Sequence, residues 1–243
     1  MSGSERRERV IAMIPARLGS ERLRYKNLRL LAGKPVIAYA IEAAKGAGVF
    51  ERVVVNSDGG PLAEIAERYG AEFLHREAKL ADSQVKSDDV VADFMKRVPG
   101  DALAWVNPIA PLQTAEEVRD VVNHFLAEGL DSLITVEDKQ VHCLYEGRPV
   151  NFSYEGLFAK TQDLIPVQPF VYSVMMWRYA TFLEHYAEHG YALLAGKVGY
   201  YPVHKHSTVI LKYEEDLGVA EAILRARSGT AVEPEYDPIA ERL

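Results

Sequence analysis

VIAMIPARLGSERLRYKN, residues Val10 to Asn27, joins an apolar run directly to a cationic loop. VIAMI has no polar member, as expected of a strand buried on both faces of a parallel sheet. Pro15 closes the run because it cannot donate to a sheet ladder. Ala16, Gly19 and Ser20 are small enough for backbone to approach a ligand closely. Arg17, Arg22, Arg24, Lys26 and Arg29 then crowd together against a single acid, Glu21. Backbone N–H donors and fixed positive charge at a strand end suit the oxygens of a polyphosphate. A solvated basic loop is the plainer reading. The position directly after the first buried strand of an α/β pattern favours the anion site.

The rest of the chain sets this loop in contrast. Its 243 residues carry a formal net charge of −7. An acidic protein is a poor candidate for general nucleic-acid or membrane-surface binding, so a local basic loop points to a small anionic ligand. One cysteine, Cys143, allows no internal disulfide and fits a reducing compartment. The first ten residues are polar, so no secretory signal is expected. No apolar run approaches the ~18–20 residues that span a bilayer. A cytoplasmic location is expected.

Outward from the loop, strand and helix patterns alternate. Strands are expected at RVVVNSD (52–58), AEFLHR (71–76), DALAWVNP (101–108), DSLITVE (131–137), FVYSVMMWR (170–178) and KVGYYPV (197–203). Helices are expected at VIAYAIEAAKGAG, PLAEIAERYG, SDDVVADFMKRV, TAEEVRDVVNHFLAEG, YATFLEHYAEHG and EEDLGVAEAILRAR. Thr114 followed by Glu117 reads as a capping box. This is the pattern of an α/β fold, a mostly parallel sheet with helices on both faces. One domain is expected over 10–228, with an inserted hairpin, lid or dimerisation arm at 138–170 and a polar tail at 229–243. In such sheets ligands sit beyond the carboxyl ends of the strands. That rule selects Arg17 to Asn27, Asn56 to Asp58, Asn107 to Gln113 and the start of the insertion.

IPARLGSERLRYKNLRLLAGKPVIAYAIEAA resembles the signature of the acylneuraminate cytidylyltransferase family, IPAR, x-G-S-K, K-N and G-K-P in order. VVVNSDGGPLAEIAERYGAE and WVNPIAPLQTAEEVRDVV continue the likeness, and TQDLIPVQPF and TVILKYEEDLGVAEAIL extend it more weakly. The resemblance implies a nucleotide-binding α/β fold of the nucleotide-diphospho-sugar transferase type, a homodimer, and a reaction of CTP with a sugar acid giving a CMP-sugar acid and pyrophosphate. It implies catalytic roles for Arg17 and Lys26 on the triphosphate. It implies a nucleotide site of Ala16, Arg17, Lys26, Asn27 and Asn107, to which the small and cationic loop residues Gly19, Ser20 and Arg22 are added as candidates. It implies sugar contacts from Asn107, Gln162 and Asp163; Gln113, Phe170, Tyr172 and Lys212 are further candidates on the sugar side, Phe170 and Tyr172 because the insertion should flank the sugar site. The resemblance also implies Mg²⁺.

The departures from the signature carry information too. The loop lysine is Glu21, with Arg22 beside it; that spacing resembles the S-x-R-L loop of the related ketodeoxyoctulosonate enzymes. Ile109, Ala110 and Gln113 stand where the family has Thr, Ser and Arg. Thr161 replaces the arginine before Q-D, with Lys160 adjacent, and Val171-Tyr172 replaces N-G. Ile210 and Lys212 occupy the positions of the D-x-D aspartates that hold Mg²⁺ in the family. Neither side chain supplies a hard oxygen ligand. Two readings stay open: Lys212 substitutes for the cation in a working transferase, or the chain binds a nucleotide or sugar as a catalytically impaired regulatory homologue.

Other chemistry has weaker support. A dinucleotide fingerprint needs G-x-G-x-x-G, and this loop has only Gly19; a P-loop needs a first glycine and a hydroxyl that the GKP at Gly33 lacks. His185 and His189, at i and i+4, read as a solvated face without a third ligand. His204 and His206 read as an exposed loop, and Cys143 has no evident base beside it. Phe170, Tyr172, Trp177 and Tyr179 alternate as core or dimer packing. Asp58 and Asp82 are the remaining metal candidates, with helix capping as the simpler role.

Overall fold

The computed structural model describes residues 8–20 and 22–229; residues 1–7, Glu21 and 230–243, and with them nearly all of the expected polar tail, lie outside it. Seven strands form the main sheet: β1 (Val10–Pro15), β2 (Arg52–Ser57), β3 (Glu72–His75), β4 (Ala102–Val106), β5 (Ser132–Val136), β6 (Phe170–Arg178) and β7 (Val198–Pro202). Their order is β7-β5-β6-β4-β1-β2-β3. All pairings are parallel except those of β6, which runs antiparallel to β4 and β5. After β5 the chain makes no crossover helix. It wanders through the insertion and re-enters the sheet from the edge where β5 ended, so β6 must run the other way.

β1 lies inside the sheet between β4 and β2, and every one of its residues is buried. Val10, Ala12 and Ile14 join the core under helices α1 (Val36–Ala47), α2 (Gly60–Arg68) and α4 (Ala115–Ala127). Ile11 and Met13 face the opposite core, under α3 (Ser87–Arg97) and α5 (Tyr179–His189). The apolar run is continuous because both faces are covered. Trp177 and Tyr179 lie in that second core, as their alternation predicts, whereas Phe170 and Tyr172 are exposed.

A third, smaller cluster matters more for the site. Leu23 from the cationic loop, Leu31 and Val36 pack with Leu112, Leu211, and Leu217 and Ala220 of α6 (Glu214–Ser228). This cluster clamps the loop against the C-terminal segment. The expected capping box at α4 is only half formed. Thr114 Oγ1 accepts from the Glu117 N–H at 3.2 Å, but the Glu117 carboxylate accepts from His204 N and Ser207 Oγ, both at 2.6 Å. A tertiary partner has taken the side chain that local pattern assigned to the helix end.

The insertion contains a short hairpin, Leu144–Tyr145 with Arg148–Pro149, turned by Glu146 and Gly147 at φ 48° and 75°. Leu144, Tyr145, Tyr154, Leu157, Phe158 and Ile165 are exposed on it.

α1 and α4 approach so closely at Gly46 that an added Cβ would lie 2.9 Å from the Ala115 Cβ. Gly46→Val should therefore cost about 1–3 kcal/mol through overpacking. Gly218, inside α6, has no neighbouring atom within 4 Å of such a Cβ, so Gly218→Ala should stabilise by up to ~1 kcal/mol. Urea midpoints at unchanged m-value check both signs.

Candidate active site

The carboxyl ends of β1 to β4 share one edge, and a cleft of about 380 Å³ opens there. Its walls are Pro15 to Arg17 after β1, Arg76 after β3, Asn107 after β4, the 80–87 loop, and the segment Ile210–Lys212. Arg17, Arg22, Lys26, Arg76 and Lys212 supply five cationic side chains, against one carboxylate, Asp82, among the described residues. Arg24 and Arg29 turn away. Arg24 sits over the Tyr25 ring, and Arg29 pairs with Glu214 at 2.7 Å.

Backbone carbonyls hold the cations. Arg17 donates to Ala81 O at 3.4 Å and Lys26 Nζ to Leu211 O at 3.2 Å; Arg76, which is buried, donates to Ala16 O. Burial, with the neighbouring charges of Arg22 and Arg17, pushes Lys26 down to about 8, partly offset by Asp216. Burial likewise lowers Arg76. Asn27 Nδ2 donates to Arg17 O at 3.4 Å. Asn27 Oδ1, Arg76 Nε and Trp105 Nε1 are buried without a partner among the described residues, and all three belong to residues that line the cleft. Unmatched buried polar atoms are rare in a folded protein; among the described residues three more, Asn56 Oδ1, Gln113 Oε1 and His142 Nε2, lie on residues outside the cleft lining.

Ala16, Arg17, Ser20, Arg22, Lys26, Asn27, Asn107 and Lys212, all expected in the site, do line the cleft. Gly19 does not, and an added Cβ there would stand in open space. Gln113 is buried, donating to Ser173 Oγ at 3.3 Å, and so faces the core rather than a substrate. Gln162 and Asp163 lie exposed on a 3-10 turn in the insertion, away from the cleft walls. Phe170 and Tyr172 pack edge to face at 5.8 Å. Phe170 borders a second cleft, which shares Ile210 and Lys212 with the first. Tyr172 has a left-handed φ of 58°, where the family signature has glycine, and its carbonyl accepts from Asn107 Nδ2 at 3.2 Å.

Arg76 and Trp105 escaped the sequence reading. Both stand at strand carboxyl ends, so the topological rule that selected Asn107 would have found them. The other outlying candidates stay apart. His185 Nδ1 lies 2.7 Å from Tyr191 O, and His206 Nδ1 lies 3.0 Å from Arg227. Cys143 is a free thiol in the insertion.

The described residues do not fit Mg²⁺. No group of three His, Cys, Asp or Glu side chains gathers among the described residues. Asp58 Oδ1 accepts from Leu18 N at 3.3 Å, bracing the loop rather than capping α2. Asp82 Oδ1 accepts from Gln84 N at 2.8 Å within its own turn. Asp216 accepts from the backbone of Lys212 and Tyr213, closing the first turn of α6. Mg²⁺ asks for hard oxygens in octahedral array, and cations dominate here instead.

The family profile described as "Cytidylyltransferase" matches residues 11–217. The chain belongs to the cytidylyltransferase family. It is 37% identical over 117 residues to an N-acylneuraminate cytidylyltransferase of Escherichia coli, covering 48% of this chain and 28% of that one. It is 38% identical over 120 residues to a CMP-N,N'-diacetyllegionaminic acid synthase of Legionella pneumophila, covering 47% and 52%. A pseudaminic acid cytidylyltransferase of Campylobacter jejuni is 32% identical over 122 residues, covering 48% and 53%. The matched segments thus span about half or less of these curated relatives. A solved CMP:2-keto-3-deoxy-manno-octonic acid synthetase, complexed with CTP, shares the fold at TM-score 0.70 and 15% identity, over 90% of this chain and 99% of that one. A 4-diphosphocytidyl-2C-methyl-D-erythritol synthase from Anaerococcus prevotii does so at TM-score 0.64 and 14% identity, over 90% and 99%.

Lys26 gives the cleft a pH response. An anion is held best by the ammonium form, so the affinity of the cleft for inorganic triphosphate should fall as pH rises through about 8. Binding at pH 8 should take up roughly half a proton. Arginine stays charged, so Lys26→Arg should flatten the profile. Calorimetry in buffers of different ionisation enthalpy measures both effects.

Proposed function

We propose that this chain transfers a cytidylyl group from CTP to a sugar acid, releasing pyrophosphate. The observation that carries this is the cation-lined cleft at the carboxyl edge of the sheet, in a chain of the cytidylyltransferase family. A sugar hydroxyl oxygen attacks the α-phosphorus. The bond from that phosphorus to the bridging oxygen of the β-phosphate breaks, pyrophosphate leaves with that oxygen and its electron pair, and the hydroxyl proton passes to solvent water. Such a step asks the protein mainly for positioning and for charge that is already in place. Arg17, Lys26 and Arg76 hold the phosphates and offset the charge that grows on the leaving group. Ala16, Asn27 and Asn107 seat the nucleoside. The sugar acid takes the adjoining cleft beside Phe170, with Lys212 between the two. The exposed apolar side chains of the insertion support a homodimer joined through this arm. The single cysteine and the nucleotide chemistry support a cytoplasmic setting.

One observation favours a second reading, a nucleotide-binding homologue without turnover: Ile210 and Lys212 replace carboxylates of the family signature. Pyrophosphate release from CTP with a panel of free sugar acids separates the two. Turnover with at least one acid, reduced about 100-fold or more in Lys26→Ala, is the expected result. Stabilisation of the fold by CTP with no release from any acid would establish the second reading.

A further inference from the structure

The carboxylates that the signature places at 210 and 212 are absent, and what replaces them is not neutral ground. Ile210 presents hydrocarbon, and Lys212 adds an ammonium to a wall already holding Arg17, Arg22, Lys26 and Arg76. Lys212 is exposed, and among the described residues no hydrogen bond or ion pair engages its ammonium. Only its backbone is committed, the N–H donating to Asp216 at 2.6 Å. The segment cannot swing out without cost, because Lys26 Nζ holds Leu211 O and the Leu211 N–H donates to Ile109 O at 2.8 Å. Leu211 itself is fully buried among Leu23, Leu31 and Leu217. The ammonium of Lys212 is therefore carried on a fixed rail at the mouth shared by both clefts.

A divalent cation entering this cleft would meet like charge on most sides. A free triphosphate would meet donors that neutralise it and relieve their mutual repulsion. We infer that the cleft takes its nucleoside triphosphate free of divalent metal, with the side chain of Lys212 supplying charge where the family signature places a metal-holding carboxylate. This rests on the nucleotide reading of the cleft given above. It follows that Mg²⁺, by complexing the free triphosphate, should compete with the protein for its ligand.

CTP titrations of the full chain, in EDTA and in millimolar Mg²⁺, test this, with tryptophan fluorescence as the signal because Trp105 lines the cleft. Binding in EDTA is expected to be at least as tight as in Mg²⁺. Losing one charge-assisted contact, Lys212→Ala should weaken metal-free binding about tenfold or more. Because the Lys212 side chain is exposed, the variant should keep the parent's unfolding temperature, which shows that any loss is local. Lys212→Asp should weaken metal-free binding further still. Tightening of wild-type binding by Mg²⁺, tenfold or more, would overturn the inference. So would an unchanged metal-free affinity in Lys212→Ala. Absence of CTP binding in both media would overturn this inference together with the nucleotide reading.

Discussion

Three cationic side chains at this cleft are held by backbone carbonyls rather than by carboxylates: Arg17 on Ala81, Lys26 on Leu211 and Arg76 on Ala16. A carbonyl satisfies an N–H donor without cancelling its charge. The positive charge therefore stays available to a ligand, and the protein carries the cost of holding like charges close together and partly dry. Everything that positions the site serves this arrangement. β1 delivers the loop from the interior of the sheet, where both faces are packed. The third apolar cluster clamps Leu23 of the loop onto Leu211 and α6, which gives Lys26 and Arg17 a rigid mounting.

The C-terminal part of the chain is therefore as much a part of the site as the loop is. Asp216 closes the turn at Lys212 and Tyr213, Glu214 draws Arg29 out of the cleft, and Arg227 donates to Leu112 O at 3.0 Å. Glu117 reaches from α4 to His204 and Ser207, tying the 3-10 turn that precedes Ile210 to the helix layer. Remote changes along this path would act on the cleft by shifting the carbonyl that holds Lys26.

Where the chain departs from its family signature, the replacements have often become structural. Gln113 is buried, its side chain donating to Ser173 Oγ. Tyr172 takes a left-handed backbone where glycine would be free of strain, at a cost of order 1 kcal/mol. Asn107 on its carbonyl and the Phe170 ring beside it hold it there. Side chains at these departed positions are thus partly engaged in the fold, and the cationic wall remains as the main chemical resource of the cleft.

By itself, the sequence determined the elements and the position of the anion loop. Each depends on local pattern: apolar runs with no polar member, helical spacing, the prolines and glycines between them, and charge packed behind the first strand. Only the tertiary structure decided which of those charges line the cleft. Arg24 and Arg29 are as basic as Arg17 and Lys26, yet they turn outward to Tyr25 and Glu214, partners made by packing. Arg76 and Trp105 joined the cleft because β3 and β4 end on the same edge as β1, and strand order is a non-local property. The reversed direction of β6 and the diversion of Glu117 from its helix cap have the same cause. Segments far apart in sequence compete for the same hydrogen bonds, and local pattern does not record which of them wins.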